Sequence, residues 1–151
     1  MGIKIITDNR KAFYNYTIVD KIEAGMVLQG SEVKSIRAGN VNLKDSFITF
    51  RKGEAFLTKA HIAPYTASSY NNHEPERNRK LLLNRIEIDR LMGEVQEKSL
   101  SCVPLKMYFK GGRIKLEIGL GKGKKLHDKR RSIKDKDSKR ELQRSLKVSR
   151  D

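Results

Sequence analysis

The chain has 151 residues, enough for one domain with a real core, and a formal net charge of +15. That excess favours a polyanionic partner, nucleic acid or an anionic membrane surface. The membrane reading is the weaker one: no run approaches eighteen apolar residues, "MGIKII" is too short for a signal peptide, and Ile6 stands where a myristoylation signal needs Ser or Thr.

In chain order, "AFYNYTIV" (12–19) is rich in aromatic and β-branched residues and predicts a strand. "EAGMVLQG" (23–30) predicts a second strand, bounded by glycines. "SEVKSIR" (31–37) predicts a short helix, with Ser31 as N-cap and Gly39 as the stop. "SFITFRKGEAFLTKAHI" (46–62) predicts a hairpin turning at Lys52-Gly53-Glu54. A helix is predicted from about Arg79 to Gln96, with Leu81, Ile88, Leu91, Met92 and Val95 on its core face. Leu82, Leu83 and Ile86 fall off that stripe beside Arg77, Arg79 and Lys80. They are either covered by neighbouring loops or form a contact surface, apolar in the middle and basic around it. "LSCVPLKMYFKGGRIKLEIGL" (100–120) predicts a second hairpin at Gly111-Gly112, a pair suited to positive φ. This order suggests a mainly β fold: a small antiparallel barrel, OB-like being one member of the class, with a few accompanying helices.

Composition changes near Gly121. Residues 121–151 hold thirteen Lys/Arg against five Asp/Glu, so one fifth of the chain carries half the excess charge. This predicts a folded unit over residues 1–120 and a basic tail over 121–151. The tail has too few apolar residues to stay folded alone. Its pairs Asp135–Lys139, Asp137–Arg140 and Glu141–Arg144 favour a helix once a partner orders it. The tail is either a solvated segment or a nucleic-acid arm that folds on binding.

Chemistry-bearing motifs are few. "GLGKGKK" (119–125) has the look of a phosphate loop, but Lys125 follows Gly123-Lys124 where a Walker loop needs Ser or Thr, and Leu126 stands where a dinucleotide fingerprint needs its third glycine. A flexible exit from the last strand fits better. His61, His73 and His127 are far apart in sequence, and no Cys/His cluster has zinc spacing, so neither a metal nor a cofactor is expected. His61 is expected to be structural at a strand end, and His127 among lysines is a candidate for stacking on a base. Cys102 cannot form an internal disulfide, fits a reducing cytoplasm, and is expected to be a buried thiol. Glu23 and Glu32 are either surface ion-pair partners or acceptors for base and ribose groups on an RNA-binding face. No acid–base set stands out, so no enzyme is expected.

Taken together, "NRKAFYNYTI", "EAGMVLQGSEVKSIRAGNVNLKDSFI", "GEAFLTKAHIAPY", "RKLLLN", "VPLKMYFKGGRIKLEIGLGKGKKLHDKR" and the basic end resemble, in order and over nearly the whole chain, the small protein B (SmpB) family of tmRNA-binding proteins. The resemblance implies an OB-like barrel with a C-terminal tail. It implies binding to the tRNA-like domain of transfer-messenger RNA, the protein taking the place of the missing anticodon arm. It also implies delivery of that RNA to stalled ribosomes, the tail lying in the empty small-subunit decoding centre and mRNA channel. By matching position, Asn9, Lys11, Tyr16, Glu23, Lys80 and Leu82 are the implied RNA-face residues. Gly123, Lys124, Lys125, His127, Asp128, Lys129 and Arg130 match the segment implied to act on the ribosome. Neither a cofactor, a small-molecule substrate nor a membrane is implied. Tyr14 stands where some members have His and Phe47 where others have Tyr, so a hydroxyl is missing at Phe47. Two rival readings are a general single-strand-binding barrel, which needs more exposed stacking aromatics than a 7% aromatic content suggests, and an RNA-modifying or RNA-cleaving enzyme.

Overall fold

The structure is a computed structural model and describes residues 3–65 and 72–124. Strand β1 (Lys4–Asp8) is followed by helix α1 (Arg10–Asn15), strand β2 (Tyr16–Met26) and helix α2 (Gly30–Arg37). Then come β3 (Val41–Asn42), β4 (Phe47–Arg51), β5 (Glu54–Thr58), β6 (His61–Ile62) and β7 (Arg79–Leu82). Helix α3 (Arg85–Lys98) and the hairpin β8 (Ser101–Lys110) and β9 (Arg113–Gly123) complete the described chain. Seven strands form one sheet in the order β1-β8-β9-β2-β7-β5-β4, antiparallel at every junction. β4 also lies beside β8, so the sheet curls into a small OB-like barrel.

Both hairpins turn where the sequence places them. Lys52 and Gly53 (φ 51° and 74°), and Gly111 and Gly112 (φ 58° and 74°), supply the positive-φ pairs that two-residue turns between twisted strands require. Gly39, at φ 80°, ends α2 as expected. Its start differs. Gln29 is the N-cap, with a reciprocal capping box to Glu32, and Ser31 lies inside the helix.

Three expected elements are corrected. "AFYNYTIV" is half helix: the Asn9 side chain accepts a hydrogen bond from the Ala12 N–H, and Ala12 is buried against Val103 and Leu105. Cap and packing together override the β propensity of Phe13 and Tyr14. β2 then runs unbroken through "EAGM", so two expected strands are one. "RKLL", expected as the first turn of a helix, is β7, inserted between β2 and β5. Its residues alternate buried and exposed, as a strand between two neighbours should. The helix starts only at Arg85, where the Asn84 side chain accepts from the Glu87 N–H at 2.9 Å.

One cluster gathers Ala24 of β2, Ile36 of α2, Leu57 of β5, Leu81 of β7, Ile88 and Leu91 of α3, and Leu116 and Ile118 of β9. Met92, Val95 and also Leu83 pack at its margin, so Leu83 belongs to the core. Cys102 lies in the same cluster, and burial pushes its thiol up to about 12, so it is an inert proton-bearing group at neutral pH.

The glycines of "GLGKG" serve packing. β9 runs to Gly123, three residues beyond position 120, and Gly119 and Gly121 lie buried within it. A Cβ at Gly119 would stand 2.7 Å from Leu105 Cδ1, and one at Gly121 2.7 Å from Tyr16 Cβ. Leu105 and Tyr16 therefore lie flat across β9, in the small second cluster that carries α1. Gly119→Val should destabilise the fold by about 1–3 kcal/mol through overpacking, read as a lowered midpoint in denaturant unfolding.

Candidate nucleic-acid interface

The six expected RNA-face residues fall into two patches joined by β2. The first surrounds α1. Asn9 is buried, and its Nδ2 donates to the Pro104 carbonyl at 2.8 Å while its Oδ1 caps the helix. Lys11 is exposed and pairs with Asp45 at 2.6 Å, which holds the Asp45 carboxyl below its usual range. Tyr16 is half-buried at the start of β2. These three share a cavity of about 190 Å³ with Phe47, whose ring lies 5.9 Å from Lys59 Nζ. Lys124 joins the patch from the end of β9: its N–H donates to the Asn15 carbonyl at 2.9 Å and its Nζ to the Phe13 carbonyl at 3.1 Å. The end of the described chain is thus tied to α1.

The second patch lies on the outer face of the sheet. Glu23 is seven residues after Tyr16, about 23 Å along a strand rising about 3.3 Å per residue. It shares the face of Gly25, which pairs with Leu82 of β7, and Lys80 shares the face of Leu82. The Glu23 carboxylate accepts from the Tyr108 hydroxyl and from Lys110 at 3.3 Å. The Tyr108 bond, which outweighs the opposing effect of partial burial, with help from Lys110 and Lys115, holds Glu23 below the usual carboxylate range. Burial and the same Glu23 contact push Tyr108 above its usual range. Lys80 pairs with Glu54 at 3.1 Å. Leu82 is 55% exposed although it stands in the middle of a sheet.

Glu32 departs from both expectations for it. It is fully buried, bonded by Arg77 at 2.5 Å and Arg79 at 2.5 Å, and also by the Gln29 N–H. Arg79 is fully buried as well and reaches the carbonyls of Ala60 and Pro75 at 2.6 and 2.9 Å. It is therefore no part of a basic surface rim. Sequence spacing gave no sign of this network, because its partners lie 45 and 47 residues apart. His61 is exposed in β6. His73 is the buried, structural histidine: its Nδ1 faces Ser31 Oγ at 2.8 Å and its Nε2 the Ile62 carbonyl at 2.8 Å. Among the described residues no cluster of His, Cys, Asp and Glu has metal-holding geometry, and no helix is long and apolar enough to cross a membrane. Lys125, His127, Asp128, Lys129, Arg130 and the charge pairs of the tail lie outside the described residues.

A family model described as "SmpB protein" matches residues 6–148. The chain belongs to the SmpB family. It is 58% identical over 147 residues to the SsrA-binding protein of Pelobacter propionicus, covering 97% of both chains. It is 57% identical over 149 residues to that of Bdellovibrio bacteriovorus, covering 99% of this chain and 98% of the relative. Among solved structures, a chain from "tmRNA-SmpB: a journey to the center of the bacterial ribosome" matches with a TM-score of 0.67 and 48% identity, covering 80% of this chain and 85% of that one. The SmpB match spans both patches, the Glu32–Arg79 network and the basic end in one continuous stretch.

Proposed function

We propose that the chain binds the tRNA-like domain of transfer-messenger RNA, stands in for its missing anticodon arm, and carries it to stalled ribosomes in the cytoplasm for trans-translation. It does so by binding alone, without a catalytic step or cofactor. The observation that carries this reading is family membership over nearly the whole chain, together with the outer sheet face on which Leu82 stands between Glu23 and Lys80. An exposed leucine flanked by cations and one anchored carboxylate suits an RNA surface whose bases are exposed and whose backbone is charged. Asn9 contributes from beneath, by capping the helix that presents Lys11. In this reading the folded unit binds RNA, and the segment from Lys125 onward, with His127, Asp128, Lys129 and Arg130, acts in the decoding centre and mRNA channel.

Purifying the protein from its own cells and sequencing the RNA it carries tests this directly. One dominant tRNA-like species is expected. A broad mixture would point to a general single-strand binder, and cleaved or modified RNA to an enzyme. The RNA face has its own test. Glu23→Ala and Leu82→Asp should each weaken binding by about tenfold or more, ~1.4 kcal/mol, with little change in melting temperature. Severe destabilisation with affinity intact would move both residues out of the interface.

A further inference from the structure

Beside Leu82, where β2 runs past its last pair with β9, a cleft of about 290 Å³ opens between the β8–β9 hairpin and α2. Gly25 is at its centre, paired with Leu82 on one side and Lys115 on the other. Gly25 has no side chain to narrow the cleft; a Cβ would stand 3.2 Å from Leu82 Cβ and crowd it. Met26 and Ile114, both half-buried, continue the apolar lining. Phe109 and Arg113 come from the β8–β9 hairpin, and Val33 and Arg37, one turn apart, from α2. The lining contains three cations and not one carboxylate. Arg37 and Arg113 form no ion pair among the described residues, and Lys115 acts on Glu23 only at a distance. By contrast, Lys80 and Lys110 nearby are each paired with an acid.

An apolar slot with an aromatic wall and an unneutralised basic rim matches one ligand chemistry well, a π-faced base joined on both sides to phosphates. We infer that this cleft receives an unstacked nucleobase of the bound RNA, with Arg37, Arg113 and Lys115 on the flanking phosphates. The inference rests on the RNA-binding reading above and locates part of that interface. The exposed Leu82 then forms one lip of a slot instead of an isolated contact. Glu23, two residues before Gly25 on the same face, is placed to accept from a base amino group or a ribose hydroxyl. Stacking in such a slot is tolerant of base identity, so the cleft contributes affinity more than sequence choice.

The test uses the full chain and the isolated tRNA-like domain of transfer-messenger RNA, with affinity measured at several salt concentrations. Arg37→Gln with Arg113→Gln should weaken binding at least tenfold and flatten the salt dependence by about two counterions. Val33→Glu, on a helix surface, should cost a similar factor by placing a carboxylate in the slot, whereas Val33→Leu should bind within threefold of wild type. Arg90→Gln with Lys98→Gln removes the same charge from α3, which contributes nothing to the cleft, and should cost less than threefold. Thermal melts confirm that each variant is folded. If wild type fails to bind this RNA, the functional reading itself falls. If wild type binds and either the double variant or Val33→Glu binds within threefold of it, the cleft assignment falls while that reading stands. A loss in the α3 control equal to that of the cleft pair also overturns it, since the effect is then one of net charge.

Discussion

Arg79→Ala should destabilise the protein by about 3–5 kcal/mol, the largest single-residue effect expected in the chain. Arg79 has no solvent exposure and links β7 to Glu32 on α2, to Ala60 and to Pro75. Removing it leaves the buried Glu32 carboxylate with two of its three donors, none of them on Oε2, and takes the Arg79 donor from the Ala60 carbonyl. Equilibrium unfolding in denaturant measures the loss. Replacing both fully buried charges, Glu32→Leu with Arg79→Met, should cost less than Arg79→Ala alone, because the one ion left without its partner, Arg77, is partly exposed and reaches solvent. The pair also sets an acid limit. Burial by itself would raise the Glu32 pKa, but the bonds from Arg77, the Gln29 N–H and Arg79 outweigh it, and the carboxyl is held below its usual value. A depressed folded pKa means stabilisation that is fully present above the unfolded value, about 4.3, and is lost as pH falls through the folded one. Glu32→Gln should therefore be less stable at neutral pH and show a shallower loss of stability below about pH 4.

That network explains where the sequence was readable and where it was not. The hairpins at Lys52-Gly53 and Gly111-Gly112 were legible because turn geometry is local and demands particular residues. The strand β7 was not. Its alternation is Arg79 in, Lys80 out, Leu81 in, Leu82 out, and a buried arginine disguises the apolar period of two. Only a carboxylate 47 residues away makes Arg79 an inward residue. Helix α1 was missed for a related reason: its cap, Asn9, is visible in the sequence, but the surface that buries Ala12 comes from β8. At the interface, Glu23, Lys80 and Leu82 were named from resemblance, and spacing offered no route to their juxtaposition, since β2 and β7 pair across more than fifty residues. The glycines of "GLGKG" show the opposite error. They read as a flexible exit from the last strand, yet Gly119 and Gly121 lie inside β9 and are bare so that Leu105 and Tyr16 can cross it.

Deleting residues 125–151 should leave affinity for the tRNA-like domain within about tenfold of wild type, ~1.4 kcal/mol, while abolishing peptide tagging on stalled ribosomes. The cut belongs after Lys124 and not at the composition change near Gly121. β9 pairs with β2 as far as Gly123, and Lys124 donates from its backbone and its Nζ to carbonyls of α1. A cut at residue 121 would strip the strand that supports Tyr16 and α1, and would confuse loss of the arm with damage to the RNA face. With Lys124 kept, both patches and the cleft beside Leu82 retain every described partner. The deleted segment carries eleven Lys/Arg against five Asp/Glu, so a general electrostatic contribution to RNA affinity is expected to vanish with it, and its size is read from the change in salt dependence. A loss far above tenfold, persisting at high salt, would make that segment a primary anchor for the RNA. Undiminished tagging by the truncated protein would remove any need for it on the ribosome. In the expected result the two functions separate: the folded unit chooses the RNA, and the segment after Lys124 is required only once that RNA has reached a ribosome with an empty channel.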